Sequence, residues 1–136
     1  MVMPPQNLAE RDVLQRVAAD VGIYPIEAYE FVQRGLAFTV KQLHGAAALS
    51  GQTRHVTGQQ LCEGLREYAL EQWGMLACTV LRRWNITSTV DFGRIVFSLV
   101  EYRVMATTEQ DTIDDFRGVY EFKKAFESAY RMKSRV

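Results

Sequence analysis

Cysteine and histidine are scarce in this sequence, and net charge is absent. The two cysteines, Cys62 and Cys78, stand sixteen residues apart. They form no disulfide framework, and with His44 and His55 they lack the paired short spacings of a zinc site, so no metal and no cofactor is expected. A reducing, cytoplasmic setting is the expectation for so few thiols. Sixteen basic residues balance sixteen acidic ones, so no global field draws the chain toward nucleic acid or anionic lipid. No apolar run approaches the roughly eighteen residues of a membrane span. The opening "MVMPPQN" lacks a charged region followed by an apolar core and does not read as a signal peptide. There is no glycine-rich phosphate loop. "DFG" at 91–93 stands without any other kinase element, and reads as a helix start whose aspartate favours the positive end of the dipole.

What is present is apolar and aromatic. Of 136 residues, 48% are hydrophobic, enough for the core of one domain, and seven Phe, six Tyr and two Trp make the chain rich in rings. Residues 1–6 read as a disordered start and residues 7–133 as a single helical domain. Asn7 can cap a helix from Leu8 to about Asp20, which Gly22 ends. Pro25 suits the first turn of a second helix, running to His44 and stopped by Gly45. On it Tyr29, Val32, Leu36, Val40 and Leu43 form one stripe, which Phe31 and Phe38 widen, with Glu27, Glu30, Arg34 and Lys41 on the remaining arc. So broad an apolar arc predicts a central helix with more than one neighbour.

"GAAALSGQTRHV" at 45–56 reads as a mobile connection. Thr57 and Gln60 then have the spacing of a capping box, opening a helix that buries Leu61, Cys62, Leu65, Tyr68 and Ala69. Gly74 separates it from a shorter helix, Met75 to Trp84. Ser88 or Thr89 caps a further helix to about Tyr102, whose polar residues Asp91, Arg94, Ser98 and Glu101 form one narrow stripe. That predicts the most buried helix of the domain. "RVMAT" and "RGVYEF", with the acidic turn "TEQDTIDD" between them, suggest a short β-hairpin near residues 103–121. Helix from Thr112 to Arg117 is the alternative. A last helix from Phe122 to about Met132 shows Phe122, Ala125, Phe126, Ala129 and Tyr130 at helical spacing. The expectation is a mainly α fold of five to six helices.

Three phrases, "RHVTGQQLCEGLREYAL", "VLRRWNITSTVDFGRIVFSLVE" and "DDFRGVYEFKKAF", resemble a family of uncharacterised conserved proteins from planctomycete and verrucomicrobial bacteria. The likeness spans about Tyr24 to Tyr130. It implies a small bacterial cytoplasmic protein and assigns no activity, so it carries over no catalytic residue. Tyr102-Arg103 departs from it, at a place where a small residue and a glycine are expected. More loosely, the order of a helix, a short helix, "WNITST", a long helix and a hairpin resembles a winged helix-turn-helix.

Three functional readings follow. The first is a non-catalytic protein-interaction or assembly module, with a protein partner or a second copy meeting Phe31, Phe38 and Tyr120. The second is a winged-helix-like nucleic-acid binder using Arg82, Arg83, Lys123, Lys124, Arg131 and Lys133. The tail "KKAFESAYRMKSR" holds five basic residues and one acid, but the stripe Asp91, Arg94, Ser98 and Glu101 would meet phosphates with more negative than positive charge. The third is anion or small-ligand binding at a helix N-terminus, where Arg54 offers a donor fork, His55 a pH-dependent charge, Thr57 a hydroxyl and Gly58 a close backbone approach. The competing view of that stretch is a capping box with Val56 as its hydrophobic staple. An enzyme is the weakest reading. Cys62 and Cys78 sit on apolar surroundings, His44 lies at a helix end, and Asp114-Asp115 point in different directions.

Overall fold

The computed structural model describes residues 11–45 and 55–128. Among them stand five α-helices: α1 (Arg11–Val21), α2 (Ile26–His44), α3 (Gly58–Trp73), α4 (Ala77–Arg83) and α5 (Thr89–Glu101). Single 3₁₀ turns occur at Gly74–Leu76 and Ile113–Phe116, and one wider π-helical turn at Lys124–Ser128, where the expected last helix begins. The fold is mainly helical, and no strand forms among the described residues. The expected caps at Asn7 and the connection at 46–54 lie outside these residues, as do Ala129 and Tyr130 of the last helix.

The helix ends follow local chemistry. Thr57 Oγ1 accepts the Gln60 N–H at 3.1 Å, while the Gln60 side chain accepts the Thr57 N–H at 2.9 Å, closing the expected capping box. Val56, just outside it, is fully buried. Gly45 turns the chain at φ +52°, and its N–H returns to the Lys41 carbonyl at 2.9 Å.

Helix α2 occupies the centre, packing on α1, α3 and α5. Tyr29, Val32, Leu36 and Val40 are buried as their spacing predicts, and Phe31 is buried on the widened arc, whereas Leu43, past the edge of the core, is 45% exposed. Helix α3 comes unusually close to α2. A Cβ at Gly35 would overlap the Leu65 side chain, and one at Gly64 would overlap that of Thr39. Thr39 cannot swing away freely, because its hydroxyl donates to the Gly35 carbonyl at 2.7 Å. Two glycines thus set the spacing at which rings from both helices meet.

Helix α5 is the buried element its narrow polar stripe predicts, with Phe92, Ile95, Val96 and Leu99 fully enclosed. One member of that stripe needs correction. Asp91 is not a solvated residue: it is 5% exposed. Its Oδ1 accepts the Tyr24 hydroxyl at 2.5 Å and Arg94 Nη1 at 3.1 Å, and its Oδ2 accepts the N–H groups of Thr87 at 2.9 Å and Ser88 at 3.1 Å. A carboxylate supplied with this many donors is stable inside the protein.

The hairpin near residues 103–121 does not form. Asp111 accepts the Thr108 N–H at 2.9 Å and Asp115 the Thr112 N–H at 3.0 Å, so each aspartate bends the chain locally and takes donors that a strand ladder would need. The segment winds into the Ile113–Phe116 turn, within the span of the helical alternative, and buries Phe116. Thr89 ties that turn to α5, donating to the Phe116 carbonyl at 2.5 Å and accepting the Val119 N–H at 3.2 Å. Gly93 leaves room for Phe116, since a Cβ there would lie 2.8 Å from its ring. At the end of α5, Arg103 adopts φ +61°. That left-handed conformation is one glycine adopts without cost.

Two predictions follow from these contacts. Arg103→Gly removes a left-handed strain of about 1–2 kcal/mol and adds an unfolded-state entropy cost of about 0.5–1 kcal/mol. Urea denaturation should therefore show a small gain in stability. Asp91→Asn leaves one acceptor oxygen and turns an amide toward the remaining donors, costing roughly 2–3 kcal/mol at neutral pH. Burial pushes the Asp91 pKa up, but the bonds from Tyr24, Thr87 and Ser88 and the charge of Arg94 outweigh it, and the net shift is downward. A folded pKa below the unfolded value of about 3.9 means that this stabilisation is complete above that pH and lost as pH falls through the folded pKa. The gap between the native chain and Asp91→Asn should accordingly narrow in denaturation curves from pH 7 to pH 3.

Candidate functional site

The residues named for anion binding do not share one open site. Arg54 lies outside the described residues. The Thr57 hydroxyl and Gln60 amide are consumed by the capping box. Gly58 is buried, and a Cβ on it would meet Asp115 Cβ at 2.8 Å and the Phe116 ring at 3.1 Å. Its missing side chain therefore admits the Ile113–Phe116 turn. His55 faces solvent 3.9 Å from the Asp111 carboxylate. Its carbonyl accepts His44 Nε2–H at 2.7 Å, so His44 closes the base of the connection between α2 and α3.

The basic residues of the nucleic-acid reading converge in part. Arg82, on α4, and Lys123 line one cleft of about 230 Å³ together with Cys78, Thr87 and Glu121. Arg83 and Lys124 are exposed nearby in sequence, and Lys124 Nζ lies 3.7 Å from the Glu121 carboxylate. Arg131 and Lys133 lie outside the described residues. Helix α5 turns only Arg94 and Glu101 fully outward.

The expected interface residues take different positions. Phe31 is 4% exposed and is no open edge. Trp73 and Trp84 stand against it at centroid distances of 5.4 and 5.9 Å, and Tyr68 at 5.7 Å. Phe38 is partly covered by Tyr68 at 5.3 Å. Tyr120 turns inward: its hydroxyl donates to the Cys62 carbonyl at 2.8 Å and its ring packs on Phe122 and Phe126. Burial pushes its pKa well above the usual phenol value.

Around Phe31 the rings make a site of their own. The two indoles meet edge to face, at 5.4 Å and 82°. Trp73, Trp84 and Tyr68 are each half-buried, and with Phe31 as floor they bound a solvent-open cleft of about 180 Å³. Glu27, Glu30 and Arg34 of α2 and Gln72 of α3 form its polar rim. Glu30 pairs with Arg11 at 2.9 Å, while Glu27 makes no ion pair among the described residues. Met75 and Leu76 follow Trp73 in the chain and are 67% and 59% exposed. Two bonds hold this corner: Asn85 Nδ2 donates to the Ile23 carbonyl at 2.8 Å, and the Tyr24–Asp91 bond lies just beyond it. Trp84 is thereby fixed from the residue that follows it. No helical periodicity groups the two tryptophans, because they belong to different elements, each beside a turn signal, Gly74 and "WNITST".

The thiols differ sharply. Cys62 is fully enclosed, and burial pushes its pKa up to about 12. Cys78 is half-buried, with Arg82 Nη2 at 3.8 Å from its sulfur. Native-state alkylation with iodoacetamide should label Cys78 and spare Cys62 until the chain is unfolded, read as one added mass and then two.

No His, Cys, Asp and Glu cluster suited to a metal ion occurs among the described residues, and no helix among them is long and apolar enough to cross a membrane. No family model matches this chain, and neither a curated protein nor a solved structure matches it.

Proposed function

We propose that this chain is a non-catalytic protein-interaction module whose contact surface is the ring-lined cleft between α2, α3 and α4. One observation carries the reading. Phe31, Tyr68, Trp73 and Trp84 form a contiguous aromatic cluster that bounds a solvent-open cleft, and the exposed apolar pair Met75-Leu76 follows in the chain just after Trp73 and Gly74. Half-buried aromatic groups with a polar rim have the anatomy of an interaction hot spot. Preorganisation supports it too: the indoles are wedged against each other and Phe31, so little side-chain freedom is lost when an occupant arrives. The resemblance to uncharacterised bacterial proteins assigns no activity that competes with this reading.

Nucleic-acid binding is the second reading. It is favoured by the meeting of Arg82 and Lys123 at one cleft, and it lacks the hairpin a wing would supply.

The first reading is tested with a photo-crosslinking amino acid at Met75 in living cells, with the same group at exposed Glu109 as control. A discrete adduct from Met75 that fades with Trp84→Phe is the expected result. Adducts identical to those from Glu109 would overturn it.

A further inference from the structure

We infer that Cys78 is a thiol-exchange site for small disulfides that carry carboxylates, which leave an anionic thiol bonded to its sulfur. The inference is independent of the ring-lined cleft and of the interaction-module reading. It uses the cleft that Arg82 and Lys123 share. The sulfur does not stand alone there. Cys78 is half-buried and lines a space of about 230 Å³, room for one arm of a small disulfide. The floor is apolar, since Ile86 and Phe122 are both buried. The walls are charged and come from two distant stretches of chain. Arg82, one turn after Cys78 on α4, brings Nη2 to 3.8 Å from the sulfur. Lys123 enters from just before the Lys124–Ser128 turn. Both cationic side chains are exposed. The carboxylate that also lines the cleft, Glu121, lies 3.7 Å from Lys124 Nζ, which offsets it. The chain as a whole carries no net charge, so this excess of positive charge is local.

The exchange balances without any further oxidant. The Cys78 thiolate attacks one sulfur of the disulfide, a new S–S bond forms, the old one breaks, and the departing thiolate takes a proton from water. Cys78 is oxidised and the leaving thiol is reduced. Carboxylates on the incoming arms meet a guanidinium and an ammonium while the sulfur is attacked. Cys62, the other cysteine of the chain, is fully enclosed, so no second exposed thiol is present to expel the adduct. The mixed disulfide is therefore removed by a thiol from solution.

The test follows adduct mass on the full native chain with three disulfides of similar size: dithiodipropionate, which is dianionic, hydroxyethyl disulfide, which is neutral, and cystamine, which is dicationic. Each rate is divided by that of the same reagent with N-acetylcysteine amide, which removes the intrinsic reactivity of the disulfide. All three reagents use the same thiolate and the same opening, so the ratios isolate the charge of the cleft. At low ionic strength the dianion should be favoured over the dication about tenfold, and the preference should shrink in about 1 M salt, where the Debye length is about 3 Å. Arg82→Gln and Lys123→Gln should each cut the preference about threefold, and Glu121→Gln should raise it. All three substitutions are at exposed positions. Cys78→Ser should abolish the adduct. A ratio near one in the native chain overturns the inference, as does a preference that survives Arg82→Gln and Lys123→Gln together. Adducts that form on Cys78 only after unfolding overturn it as well.

Discussion

A single buried carboxylate organises the molecule. Asp91 gathers the Tyr24 hydroxyl, two backbone N–H groups and a guanidinium. In doing so it joins the turn before α2 to the turn before α5. Without a partner, a charge at 5% exposure would be strongly unfavourable. With these donors, and the Thr87 hydroxyl at 3.4 Å besides, it becomes a fastening between the two turns. Asn85 repeats the connection next door, donating to the Ile23 carbonyl at 2.8 Å while adopting φ +65°, a conformation that asparagine tolerates. The Trp84 ring, between α4 and this double anchor, inherits its rigidity.

Much of the helical framework was legible from short-range chemistry. Thr57 and Gln60 announce a helix start because both partners of the cap lie within four residues. Gly45 and Gly74 announce stops for the same reason. The burial of α5 followed from a narrow polar stripe. What could not be read depended on distance. Asp91 looks like a surface residue until Tyr24, sixty-seven positions earlier, is seen to reach it. Gln33, 1% exposed on α2, is a second polar group that periodicity alone would not enclose. The segment 103–121 departs from its propensity for a different reason: its Val, Tyr and Phe favour strand, but Asp111 and Asp115 claim neighbouring backbone donors first.

The candidate site was legible only as a composition. Abundant rings suggest an interface that includes Phe31, but the members that reach solvent are the half-buried Trp73, Trp84 and Tyr68. The reason is geometric. With no side chain at Gly35 or Gly64, α2 and α3 approach closely, and Phe31, one turn before Gly35, becomes a floor and not a rim. Positions on a helical wheel describe one cylinder, whereas which ring lies on top is decided by the spacing between two.

The arrangement of the indoles has an optical consequence. The chain contains two tryptophans, and both belong to the cleft, 5.4 Å apart and nearly perpendicular. Transition dipoles this close mix, and their exciton splitting adds a signed couplet to the far-ultraviolet circular dichroism. All indole absorbance and emission of this protein therefore originates in one small volume. The chain carries a built-in chromophore pair whose spectrum is a direct record of that volume's shape.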